Sequence, residues 1–506
     1  MASIVLSTLN SRYSHAALGL RYLRANLGAL RDDSVIREFV VRTPAPAIVD
    51  ALLAERPRIV GFGVYIWNVL QTAEVIRQLK ARAPGVLVVI GGPEVSHEVE
   101  AQEICRLADH VVTGWGDVTF ARLARALLDG PRPLSRVHAG EQPPLEGLAL
   151  PYREYSDADL ANRTVYVEAS RGCPFKCEFC LSALDRTAWP FPLEPLLDEL
   201  SRLYERGARH FKFVDRTFNL KAATSARILE FFLGLLAARP GDPPFLHFEL
   251  VPDHLPEALK APVARFPPGT LQFEIGIQTF DVEAQRRISR RQDNAAAAAN
   301  ILWLRANTQA HLHVDLIAGL PGEDLASFAA GFDRLVALGP HEIQVGLLKR
   351  LRGAPIARHT AEFGMVYDTA PPYQVLQTGA LDAATVRRLA RFARYWDLVA
   401  NSGRFAGALA LLLADAPFDR FMAFSDWLHA NCGQTHAIAV ERLYELVHRW
   451  LVETGTEPQR ATTVLAGDYR RSGARGRLEL GDVRVLVPAR RGRRRLAPRQ
   501  SRHLAS

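Results

Sequence analysis

Three cysteines stand close together in Arg171-Gly172-Cys173-Pro174-Phe175-Lys176-Cys177-Glu178-Phe179-Cys180, at the spacing C-x3-C-x2-C. In a tight loop, such spacing converges three thiolates on one inorganic centre. Thiolates suit iron–sulfur clusters or zinc. Zinc requires a fourth ligand, and no other His or Cys stands at knuckle spacing nearby. In a four-iron cubane, three cysteines leave one iron without a protein ligand. An open coordination position lets a metal site do chemistry rather than only hold structure. Cys173, Cys177 and Cys180 are therefore the expected metal ligands, for a 4Fe–4S cluster. Cys105 and Cys432 read as buried small hydrophobes on helices.

The elements around the triplet fall into two alternating series. Residues 1–130 give strands near Ser3–Leu9, Val35–Val41, Arg58–Tyr65, Val86–Ile90 and His110–Val112, with helices between them. That alternation implies a doubly wound parallel sheet, which binds ligands beyond its strands' carboxyl ends. Here those ends carry Gly91-Gly92-Pro93 and Gly114-Trp115-Gly116. The stretch from 130 to 163 is Pro-rich and aperiodic, and reads as a linker. A second series has strands at Val165–Ala169, Phe211–Asp215, Phe245–Leu250, Leu271–Ile277, Leu312–Ala318 and Ile343–Leu348. Six strand–helix repeats fit a partial or full parallel barrel, with its chemistry on the loops after the strands. The triplet follows the first of these strands. Beyond about 360, helices are expected at Ala383–Leu398, Ala406–Leu413 and Ala437–Thr454, then strand-like pieces at Arg477–Leu480 and Val483–Val487.

The composition is globular: 48% of the 506 residues are hydrophobic and 23% charged. The longest uncharged run, Ile59 to Ala73, falls short of the ~20 residues a membrane span requires. No signal peptide is read at the N-terminus, and five cysteines do not make a disulfide framework. A cytoplasmic location is expected, with no membrane partner. The net charge of +8 is almost all Arg, and part of it is the tail cluster Arg490, Arg491, Arg493, Arg494 and Arg495. Nucleic-acid binding by this tail is considered but not favoured over a solvated, disordered end.

The triplet, with Phe179 just before its last cysteine, resembles the signature of the radical S-adenosylmethionine (radical SAM) enzymes. The resemblance covers residues 164 to about 355. It implies a cluster whose open iron chelates S-adenosylmethionine. Reductive cleavage then gives methionine and a 5′-deoxyadenosyl radical. It further implies an electron donor such as flavodoxin or ferredoxin. Later strand ends are similar to the family in order. Phe213-Val214-Asp215-Arg216-Thr217-Phe218-Asn219 ends strand two, where Asp215 and Asn219 are candidates to meet the methionine amino group. Phe273-Glu274-Ile275-Gly276-Ile277-Gln278-Thr279 ends strand four, where Glu274 and Gln278 are candidates for the ribose and carboxylate. Both lie on one strand face, opposite Ile275 and Ile277. Asp315-Leu316-Ile317-Ala318-Gly319-Leu320-Pro321-Gly322-Glu323 ends strand five, and Gly319 is placed beside the adenine.

A doubly wound domain ahead of such a barrel resembles the cobalamin-binding subgroup, which makes Gly91, Gly92 and Gly114 candidate cofactor contacts. The D-x-H-x-x-G motif that often supplies a cobalt-ligating His is absent. Cobalamin is therefore expected without a His ligand, and His15 reads as a polar loop residue. The region after 360 resembles an uncharacterised helical domain that accompanies this pair in bacterial proteins. The expected fold is α/β. It has a Rossmann-like domain of cobalamin-binding type (1–140), a linker (141–163), a parallel (β/α)6 partial TIM-type barrel (164–360), a mostly α-helical domain (361–488) and a basic tail (489–506). The expected function is cobalamin-dependent methylation of an unactivated carbon on an unidentified substrate. Radical rearrangement or oxidation, RNA modification and a non-catalytic cobalamin or redox sensor are the alternatives. Methylthio transfer is disfavoured, because the first domain carries only Cys105. No residue is singled out as catalytic.

Overall fold

The protein is described here from a computed structural model covering residues 2–185, 187–474, 476–481, 483–487 and 502–503. The first sheet comprises β1 (Ile4–Asn10), β2 (Ser34–Val40), β3 (Ile59–Gly63), β4 (Leu87–Gly91), β5 (His110–Thr113) and β6 (Val137–Ala139). They are all parallel, in the order β2-β1-β3-β4-β5-β6. All seven residues of β1 are buried, as a parallel strand covered by helices on both faces must be. Helices Leu18–Ala25 and Asp117–Asp129 pack on one face through Leu20, Phe120 and Leu123. Helices Ala45–Leu53 and Val69–Arg82 cover the other through Ile48, Val49 and Ile76. The sequence leads one to expect five strands; β6 makes a sixth. At three residues, two of them exposed, it is too short to show a period.

The second sheet comprises β7 (Val165–Val167), β8 (His210–Phe213), β9 (Phe245–Leu250), β10 (Leu271–Gln278), β11 (His311–Ala318) and β12 (Glu342–Leu347), parallel and in sequential order. Burial alternates along β10. Its apolar residues join the core under the outer helices. Its polar residues face the lumen.

An open barrel has two edge strands, whose unpaired backbone groups need partners. Side chains supply them at both ends. On β7, Tyr155 Oη donates to Tyr166 O (2.9 Å) and accepts from Tyr166 N (3.1 Å). Tyr152 Oη accepts from Glu168 N (3.1 Å). On β12, Asn401 donates to Ile343 O (2.8 Å) and accepts from Ile343 N (2.9 Å). Residues 141–163 are thus a packed connection, with Tyr152 and Tyr155 each 1% exposed.

The C-terminal region has helices Ala383–Val399, Ala406–Leu413, Pro417–Cys432, Val440–Glu453 and Pro458–Ser472, then an antiparallel hairpin of Gly476–Leu480 and Val483–Val487. Three of these five are expected from the sequence with bounds, and Cys432 is expected on a helix without them; Pro458–Ser472 is an addition. The helix Pro417–Cys432 opens on a proline, favoured at that position. Its buried stripe is Phe418, Phe421, Met422, Ser425 and Leu428. The region shares one core with the barrel, since the Phe332 ring meets Phe392 at 5.0 Å and Trp396 at 4.8 Å. Cys105 is buried as expected, whereas Cys432 is half-buried at a helix end. Arg490 to Arg495 lie outside the described residues.

Candidate active site

A loop and a short hairpin, Ser170–Arg171 with Trp189–Pro190, carry the triplet beyond β7. Gly172 closes the loop at φ +89, and a Cβ there would lie 2.3 Å from Thr187 O, so no other residue fits. Cys173 N donates to Asp185 O (3.0 Å) and Cys180 N to Cys177 O (3.0 Å). Glu178, between the last two cysteines, is buried. Its carboxylate accepts from Ser289 Oγ (2.6 Å), Arg358 Nε (2.8 Å) and His359 Nε2 (2.9 Å). Its backbone bonds to Ile288 O and Ile356 N. The loop is therefore fixed to two distant segments.

The three thiols line one cavity of about 230 Å3. Burial raises the Cys173 pKa to about 11 and also raises that of Cys177, so metal binding here must release protons. Arg290 Nη1 stands 3.4 Å from Cys177 Sγ. Among the described residues no group of three or more His, Cys, Asp or Glu side chains is gathered tightly enough to hold a single metal ion.

The rest of that cavity is polar. Phe179, Glu274 and Gln278 line it. Glu274 accepts from His247 (2.9 Å) and Lys212 (3.1 Å). Burial would push its carboxyl up, but those two groups hold it well below the usual carboxylate range. Gln278 has φ +68 where the β10–β11 register shifts, a strained conformation of a kind that clusters at ligand sites. Several further lining residues lie outside the expected set, among them Arg216, paired with Glu249 at 3.0 Å, Arg290 and Asp315. Arg216 and Asp315 stand inside the quoted motifs, but Arg290 carries no sequence signal beyond a basic run.

The other expected residues lie outside this lining. Asp215 accepts from Ala169 N (2.9 Å) and Ser170 Oγ (2.6 Å), fastening the segment before the cysteine loop. Burial pushes its carboxyl up to about 7. Asn219 accepts from Val251 N (2.9 Å) and donates to Val251 O (2.8 Å). Gly319 packs against Val375, whose Cγ1 would stand 2.7 Å from an added Cβ.

A second cavity, about 300 Å3, opens at the carboxyl ends of β3, β4 and β5. Gly61, Gly63, Gly91, Gly92 and Gly114 are in its wall. Gly92, at φ +117, brings its backbone so close to β3 that a Cβ would lie 2.5 Å from Val64 O. One end of the cavity is polar. Arg171 pairs there with Asp117 (2.8 Å) and Glu168 (3.0 Å), and its guanidinium lies 4.4 Å from the Tyr22 ring centroid. Tyr22 is 2% exposed. Among the described residues, no His lines this cavity. His15 Nδ1 instead lies 2.5 Å from Tyr166 Oη. Arg171 thus reaches from the cysteine loop into the glycine-walled cavity.

Residues 4–124 match the B12 binding domain family, and residues 167–335, which contain the triplet, match the radical SAM superfamily. The chain thus carries one region similar to B12 binding domains and a second similar to the radical SAM superfamily. Residues 361–481 match a family of unknown function, DUF4080. An uncharacterized methyltransferase of Pyrococcus horikoshii is 32% identical over 40% of this chain and 49% of its own. A 2-(S-pantetheinyl)-carbapenam-3-carboxylate methyltransferase of Streptantibioticus cattleyicolor is 26% identical over 59% of this chain and 48% of its own. The chain spans about half the length of these curated relatives. The radical SAM methyltransferase TsrM of Kitasatospora setae shares the fold, with TM-score 0.58 and 18% identity over 75% of this chain and 80% of its own. No helix among the described residues is long and apolar enough to cross a membrane.

Proposed function

We propose that this chain is a cobalamin-dependent radical SAM methyltransferase acting on an unactivated carbon. The observation that carries the reading is the cysteine cavity. Cys173, Cys177 and Cys180 share it with Phe179, Arg216, Glu274, Gln278 and Arg290. That set fits a cluster with one open iron and a zwitterionic nucleoside ligand beside it. Gly91, Gly92 and Gly114, with no His in the wall among the described residues, suit cobalamin held close to the backbone.

When bound, the cluster supplies the electron that cleaves S-adenosylmethionine to methionine and a 5′-deoxyadenosyl radical, and cobalamin serves as methyl carrier. The chain holds and orients. Glu178 fixes the turn between Cys177 and Cys180. Arg290 sets a positive charge beside Cys177 and, through the cavity wall, toward a carboxylate. Glu274 and Gln278 offer acceptors for ribose hydroxyls. Asp215 and Asn219 are positioning residues that hold the strand ends, and Gly319 lets Val375 pack against the end of strand five. The electron comes from a donor such as flavodoxin or ferredoxin, in the cytoplasm.

Anaerobic reconstitution with iron, sulfide and cobalamin, followed by S-adenosylmethionine and titanium(III) citrate, tests the reading. Formation of both 5′-deoxyadenosine and S-adenosylhomocysteine supports it. Cofactor binding with neither product would make the protein a sensor.

A further inference from the structure

The first sheet and the barrel meet at a second place, remote in sequence from the cysteine loop. After β4 the chain passes Gly91 and Gly92, in the cavity wall, into the turn Pro93–Val95. Glu94 in that turn is 4% exposed. Its Oε1 accepts from Tyr373 Oη (2.5 Å) and Arg352 Nε (3.1 Å). Arg352 Nη1 also donates to Glu98 (2.8 Å), as does Arg350 Nη2 (2.9 Å). The Arg352 guanidinium lies 4.8 Å from the Tyr373 ring centroid.

Both sides of this contact lead to a cavity or to a strand end beside one. Ser96 Oγ donates to Gly92 O (2.8 Å) and accepts from Gly114 N (3.0 Å), so the turn holds two glycines of the cavity wall. On the other side, Arg350 N donates to Tyr373 O (3.0 Å) and Val375 N to Leu348 O (2.8 Å). Leu348 N donates to Ala318 O (3.0 Å), at the end of β11, and Val375 packs on Gly319. An unbroken series of bonds and packing thus joins the glycine wall to the end of the fifth barrel strand.

We propose that Glu94, Arg352 and Tyr373 form a clamp that registers the glycine wall of the B12-binding domain on the radical SAM sheet. The proposal rests on the methyltransferase reading. Cleavage of S-adenosylmethionine uses groups that all belong to the barrel. Were cobalamin held in the glycine-walled cavity, methyl transfer to it would span both domains and depend on their register. Loss of Arg352 leaves the buried Glu94 charge without its cationic partner, which is costly and loosens the turn. The clamp residues touch no reacting atom; they are positioning residues.

The experiment compares Arg352→Met, Tyr373→Phe and Glu94→Gln in the full chain. Without cofactors, hydrogen exchange of residues 93–102 should quicken in Arg352→Met and Tyr373→Phe. In Glu94→Gln, which keeps an acceptor oxygen, it should change little. In the reconstituted protein with titanium(III) citrate, S-adenosylhomocysteine formation should fall by about tenfold or more in Arg352→Met, the scale of a small misplacement. The 5′-deoxyadenosine rate should stay within about twofold, because its groups are all in the barrel. Unchanged exchange, an unchanged product ratio, or a parallel loss of both products would overturn the clamp. If the unsubstituted protein forms neither product, the methyltransferase reading fails, while the exchange result still decides whether the clamp holds the turn.

Discussion

The glycine-walled cavity and the cysteine cavity both open where parallel strands end, yet they are made by different means. In the first, backbone forms much of the wall, and a glycine at 92 is demanded by a neighbouring carbonyl. In the second, charged side chains form much of it, some paired across strands, as Glu274 is with Lys212 and Arg216 with Glu249. A backbone wall adapts to a large ligand by leaving side chains out. A charged wall selects a small polar ligand by placing them. Arg171 lines the first, paired there with Asp117, and stands two residues before Cys173, which lines the second.

The largest expected effect separates the cavities outright. Replacing Cys173, Cys177 or Cys180 by Ala should remove most of the iron and the broad visible absorption, with cobalamin binding kept. Cys105→Ala and Cys432→Ala should leave iron content unchanged. Gly92→Ala is the converse. It places a Cβ against Val64 O at positive φ, which should cost about 2–3 kcal/mol. Cobalamin binding should weaken in equilibrium titration, with cluster content retained.

The part of this comparison legible in sequence is the local part. The triplet falls within eight residues, and the glycines sit at strand ends where apolar runs stop. Glu274 and Gln278 follow from the two-residue period of β10. The partners that hold the triplet do not. Ser289, Arg358 and His359 converge on Glu178 from more than a hundred residues away, and no local pattern marks them. The same holds for the edge caps, because Tyr152, Tyr155 and Asn401 act through single hydroxyl or amide groups on a neighbouring backbone. Asn219 shows the reverse: a polar residue in a plausible ligand motif whose amide is used by the fold.

A smaller effect is expected at Glu323, next to the strand-five end. Burial pushes its carboxyl up to about 8, with Thr279 Oγ1 donating at 2.5 Å. Because the folded-state value lies above the ordinary one, its protonated form favours folding. That contribution is full below about pH 4.5 and is lost as pH rises through 8. Glu323→Gln should therefore match the unsubstituted protein at pH 5. At pH 8.5 it should melt higher by about 2–4 °C, on the order of 1 kcal/mol for a unit of this size. A constant difference across that range would remove the assignment. The smallest effect is at His15, outside the glycine wall. His15→Ala should leave cobalamin affinity unchanged, and electron paramagnetic resonance of the Co(II) form should lack nitrogen splitting in both proteins. Splitting that vanishes on substitution would make His15 the ligand.

The central claim is that three thiolates hold a four-iron cluster and leave one iron for the ligand in the polar half of the cavity. Mössbauer spectroscopy of protein reconstituted with iron-57, before and after S-adenosylmethionine, tests this most directly. The account predicts that one iron in four shifts to a distinct site on addition, and that no such cluster forms in the cysteine variants. A spectrum in which all four irons stay equivalent after saturation with S-adenosylmethionine would contradict it.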